Sequence, residues 1–143
     1  MSQQFHNTIN QHTAALGWTT DTEGEDLISL LFDMGEGRSQ RVVIAHHDLG
    51  NGTQIVEVSS AVLKMDGLPN HQLGREMAIT LLKENAQKPF SNWAIDGEGE
   101  TAHLVATSRW LLSDLDKEEL HHAVVIVAGM ADRLEEQLGV DHF

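Results

Sequence analysis

A chain of 143 residues carries 22 acidic and nine Lys or Arg side chains, a formal charge of −13, with 41% hydrophobic residues and no cysteine. That length and apolar content suit one domain, spanning residues 1–143, whose core needs neither bridge nor metal. The missing cysteines exclude disulfides, thiolate nucleophiles, cysteine zinc sites and cysteine-held iron–sulfur clusters. The acidic balance repels phosphate backbones and anionic lipid, so neither nucleic acid nor membrane is an expected partner; a solvated acidic face is its plain reading, a preference for basic partners the other. MSQQFHNTINQH, at the start, lacks the basic and apolar regions of a secretory signal, and no window approaches a bilayer-spanning run. A cytoplasmic protein is expected.

From Ser2 to Leu16, Phe5, Ile9, Thr13 and Leu16 recur at helical spacing and stop at Gly17, which predicts an amphipathic helix. TTDTEGED then reads as an acidic link. LISLLFDM follows with Ile28, Leu30 and Phe32 on one face of a strand, and Gly35-Glu36-Gly37 turns the chain. SQRVVIAHHD predicts a second strand and QIVEVSSAVLKM a third, joined through LGNGT, where Asn51-Gly52 suits a tight hairpin. In the third strand Val56, Val58 and Val62 face one way, Glu57 and Ser59 the other.

Pro69 and Asn70 open a helix with Leu73, Met77 and Leu81 in one stripe, flanked by Ala78 and Leu82, before Pro89 prevents continuation. FSNWAI and ETAHLVATSRWLL predict two further strands around an Asp96-Gly97 turn. In the last helix Asp116 and Glu119 form a capping box, and Leu115 and Leu120 form a hydrophobic staple. Leu120, Val124, Val127, Ala131, Leu134 and Leu138 make the apolar seam, and Gly139 suits the C-cap. The expected order is αβββαββα: an α+β fold with a predominantly antiparallel sheet and helices packed on it.

Few residues invite catalysis. His121 and His122 fall beside the apolar seam of the last helix without the i, i+4 spacing that a zinc-binding helix requires, so both are expected at the surface. His46, His47 and Asp48, with a distant His103, are the better metal candidate, although neighbours on a strand point to opposite faces. No serine stands in a nucleophile elbow; Ser59, Ser60 and Ser108 read as strand residues. The acidic, hairpin-flanked glycines of GEG and GEGE are turns rather than phosphate loops. Glu118-Glu119 and Glu135-Glu136 are expected on the solvated side of their helix. Trp93 and Trp110 flank the last hairpin, either as core or as part of an apolar surface left for a partner.

The element order, size and charge resemble the type III secretion chaperone-like fold. LLKENA at Leu81 to Ala86, PFSNWAID at Pro89 to Asp96 and LDKEELHHAVVIVAGMADRLEEQL at Leu115 to Leu138 are similar to its YbjN-type branch, a group provisionally named sensory transduction regulators. The resemblance supplies no catalytic residue and no cofactor. It implies a homodimer that binds an extended segment of another protein, laid over apolar patches or added at a sheet edge, or a regulator acting on a partner. The expected function is therefore non-enzymatic protein binding, with Trp93, Trp110, Met77 and Leu81 as candidate contacts. The alternative is a small metal-dependent or ligand-binding enzyme using His46, His47, Asp48 and His103.

Overall fold

The computed structural model describes residues 2–64, 71–98 and 102–138. Within them the chain runs α1 (Ser2–Leu16), β1 (Asp21–Gly24), β2 (Leu27–Gly35), β3 (Arg38–Asp48), β4 (Gln54–Lys64), α2 (His71–Asn85), β5 (Asn92–Asp96), β6 (His103–Leu111) and α3 (Lys117–Leu138). A 3-10 turn, Leu112–Asp114, links β6 to α3. The expected helix start at Pro69 and Asn70, the Gly139 cap and the hairpin tip beyond Glu98 lie outside the described residues.

The strands form one antiparallel sheet in the order β1-β2-β3-β4-β6-β5. The α+β architecture is as expected, with one addition. DTEG, within the expected acidic link, pairs with β2 as a short edge strand. All four of its residues are exposed, so no burial alternation marks it. Its attachment is polar: Ser29 Oγ donates to Glu23 Oε1 at 2.7 Å, and Arg41 Nη2 lies 3.2 Å from the same oxygen. Charged residues on a short edge strand also discourage pairing with another chain.

Local chemistry accounts for the turns. Gly35 pairs with Arg38, which leaves Glu36 and Gly37 as a two-residue loop with φ of 54° and 79°, the doubly positive geometry whose twist suits a hairpin. The β3–β4 connection differs from the tight hairpin expected there: Asp48 pairs with Gln54, giving a five-residue loop. It is held by Asx-type bonds, Gly50 N donating to Asp48 Oδ1 at 2.9 Å and Thr53 N to Asn51 Oδ1 at 3.1 Å. At the end of α1, Trp18 N donates to Thr13 O and Gly17 N to Ala14 O, the paired bonds of a Schellman cap.

Cross-strand partners share a face. The row Ile28–Ile44–Val58–Ser108 and the row Ser60–Ala106–Trp93 line the face that carries the helices. α3 crosses β3, β4 and β6 with Leu120, Val124, Val127 and Ala131 wholly buried, as its spacing predicts. α1 lies beside it, burying Phe5 and Ile9. The capping box forms: Glu119 N donates to Asp116 Oδ1 at 2.7 Å and Asp116 N to Glu119 Oε1 at 3.0 Å. Leu115 and Leu120 are both buried, as the staple requires.

One carboxylate departs from the expected solvated face: Glu135 is buried, accepting a bond from Gln40 Nε2 at 3.2 Å. The reason is angular. Leu134 and Glu135 stand three and four residues beyond Ala131, and both positions face the sheet. The sheet answers with polar partners: Gln40 Nε2 also donates to Ser60 Oγ at 2.6 Å, and Arg38 spans Asp132 with Nε–Oδ1 at 3.1 Å and Nη2–Oδ2 at 3.2 Å.

Candidate functional site

α2 packs on the β5 edge of the sheet through one side chain in particular. Asn85 Oδ1 accepts from Trp93 N at 2.7 Å while Asn85 Nδ2 donates to Trp93 O at 3.0 Å. This bidentate clamp satisfies the outward backbone groups of an edge residue and fixes the end of α2. Trp93 itself is buried, with its indole Nε1 donating to Glu84 Oε2 at 2.8 Å.

A cavity of about 240 Å³ opens between α2 and the end of the sheet, lined by Leu63, Met77, Leu81, Trp93, Ile95 and Leu104 among others. On the other side of α2, towards α3, lies a broader cleft of about 470 Å³ where Met77, Leu81 and Trp93 recur, now with Glu76, Glu84 and Arg133 at the rim. Three sequence-predicted contact residues, Met77, Leu81 and Trp93, are thus brought together. Trp110 is not among them. It stands opposite Val56 while Trp93 stands opposite Ala106, four residues along β6, which separates them by roughly 13 Å. Trp110 Nε1 donates to Ser108 Oγ at 2.7 Å, and its ring lies nearly parallel to Phe90 at 6.0 Å.

Sequence reasoning named Leu82 as a flank of the α2 stripe but missed Ile95. Both line the cavity, and Leu82 is 67% and Ile95 60% exposed, which leaves part of its apolar lining in water. Ile95 was not legible, because only its place on the outermost strand exposes it.

The histidine cluster is not assembled. His46 is buried on the helix-bearing face, where its ring stacks on Phe5 at 5.2 Å, Nδ1 lies 2.9 Å from Asp26 Oδ1 and Nε2 2.8 Å from Gln54 Oε1. His47 points to the opposite face, with Nε2 2.9 Å from Glu57 Oε1, while Asp48 caps its own loop. His103 stands opposite Lys64 at the far end of β6, roughly 23 Å along the strand from the residue opposite Val56. Strand alternation thus splits the candidate metal cluster. No group of three or more His, Cys, Asp or Glu suited to a metal ion occurs among the described residues.

His121 and His122 are exposed, as predicted, but each has aromatic company. His121 stacks on Trp18 at 5.5 Å, and His122 meets Phe90 edge-on at 5.5 Å.

The sheet's other face carries a polar knot around Glu57. Burial acts to raise its pKa, but contacts with His47, Thr107 and Arg109 outweigh it and hold the carboxyl below its ordinary range.

No protein-family model and no curated protein matches the sequence. Among solved structures, the chain is similar to YbjN from E. coli, a protein provisionally described as a transcription regulator, with a TM-score of 0.56 and 15% sequence identity over 93% of this chain and 90% of that one. The chain has the YbjN-type fold. At that identity the likeness rests on the backbone path shared along almost the whole of both chains. No helix of the described residues is long and apolar enough to cross a membrane.

Proposed function

We propose that the protein is a non-enzymatic, cytoplasmic homodimer that recognises segments of a partner protein, in a regulatory or chaperone-like role. The observation that carries this reading is the groove beside α2, where Met77, Leu81 and Trp93 line a cavity of about 240 Å³ and exposed Leu82 and Ile95 extend it into solvent. Apolar side chains gathered at a concave site, rather than scattered singly, are the usual mark of a contact surface. The provisional description of YbjN as a regulator supports the same class of function. With a charge of −13, regulation through a protein contact is favoured over direct grip on nucleic acid.

Assembly and recognition are tested together. Light scattering after size exclusion is expected to show a dimer, and Leu82→Glu with Ile95→Glu should abolish dimer formation or partner capture while leaving the circular dichroism spectrum intact. A wild-type protein that is monomeric and captures no partner overturns the reading.

A further inference from the structure

The connection from α2 to β5 meets the end of β6 at a corner unlike the rest of the molecule. A cavity of about 280 Å³ there is lined by Lys88, Phe90, Ser91, Asn92, Arg109 and Trp110, with Pro89. In a chain with 22 acidic and nine basic side chains, this lining contains two cations and no carboxylate among the described residues. Lys88 forms no ion pair among the described residues. Arg109 engages Glu57 through Nε and Nη2, both at 3.1 Å, which leaves Nη1 outside that pair, and its side chain is largely exposed.

Flat apolar surface accompanies the charge. Phe90 is 53% exposed, and its ring lies at 16° to that of Trp110. His122 lies at 89° to Phe90 with ring centroids 5.5 Å apart, which helps to hold the exposed ring in place. Ser91 adds a third feature: it is buried, and its Oγ has no hydrogen-bond partner among the described residues. Buried hydroxyls are nearly always paired, so an orphan in a residue of the lining stands out there.

From these three features we infer that the corner is a binding site for a small planar anion, a single flat ring system carrying a carboxylate or a phosphate. The ring packs against exposed Phe90, and the anionic group lies between Lys88 and Arg109. The cavity is small, about 280 Å³, which suits a small ligand. Both an aromatic acid and a nucleoside monophosphate have that chemistry. The site is separate from the α2 groove and does not depend on the reading proposed for it.

Amide shifts of isotopically labelled protein, together with tryptophan fluorescence, test the assignment, using AMP, 4-hydroxybenzoate and inorganic phosphate as probes with adenosine and 4-hydroxybenzamide as their neutral counterparts. At least one ringed anion is expected to give saturable shifts confined to Lys88–Asn92 and Arg109–Trp110. Its neutral counterpart, and the Lys88→Ala variant, should each bind roughly tenfold more weakly, as loss of a charge-assisted hydrogen bond requires. A response to AMP assigns the nucleotide, and one to 4-hydroxybenzoate the aromatic acid. The inference is overturned if no ringed anion saturates this corner below about 10 mM, a very weak affinity for any site. It is equally overturned if inorganic phosphate or a neutral counterpart binds as tightly as the ringed anion. The neutral-probe comparison uses unaltered protein, so the outcome is decided even if Lys88→Ala fails to fold.

Discussion

His46 and His47 are adjacent in sequence, yet β3 sends one into the core against Phe5 and the other to the polar face against Glu57. Their separate fates follow from the two-residue period of a strand, and each imidazole acquires the carboxylate its own face provides. Glu57 gathers three such contacts, and its depressed pKa carries a sign. A carboxylate held below its unfolded value stabilises the fold above the ordinary carboxylate range, and that contribution disappears as pH falls through the folded value. Denaturant melts between about pH 7 and about pH 3 should therefore show wild-type stability declining on the acid side, with Glu57→Gln less stable at neutrality and flatter in acid. The capping box gives a second residue-scale expectation: Asp116→Ala should lower stability by about 1 kcal/mol, read as a fall in Tm, because the Glu119 amide loses its acceptor.

At the scale of the element, α3 was the most legible part of the chain. Its seam, its cap and the surface position of its paired histidines all follow from period and spacing, because one long helix crossing a sheet must bury one stripe. Leu120→Ala is expected to cost about 2–5 kcal/mol in equilibrium unfolding, whereas Val125→Ala, on the exposed side, should stay within about 0.5 kcal/mol. Legibility failed where an element lacks a burial pattern of its own. β1 is four polar, exposed residues that become a strand only because β2 offers a free edge. Glu135 escaped for the converse reason: a carboxylate reads as solvated until Gln40 and Ser60 are known to lie across from it. The site was half legible in the same sense. Met77, Leu81 and Trp93 could be named from spacing and type, but their meeting needed β5 at the sheet's edge with Asn85 clamped to it.

Among the described residues, α1, α2 and α3 lie on one face of the sheet, and the other face carries a mixture of apolar and charged side chains. The formal charge moves from −13 to −4 if all nine histidines take a proton. Net charge approaching zero removes the repulsion between copies, so light scattering should rise on acidification from neutrality to about pH 5.5. Unchanged scattering across that interval would assign solubility to something other than net charge.

Sequence alone determined what depends on neighbours a few residues apart: the helical and strand periods, the α3 capping box, the Gly35-Glu36-Gly37 turn and the apolar seam of α3. Tertiary structure decided everything that depends on which strands lie side by side. The register of β5 on β6 separates Trp93 from Trp110, while the place of β5 at the sheet's edge builds the groove beneath α2 and gathers Lys88, Phe90 and Arg109 at one corner. The physical reason is range: dihedral preference and side-chain period act along the chain, whereas strand pairing joins segments dozens of residues apart through backbone bonds that every residue but proline can make alike.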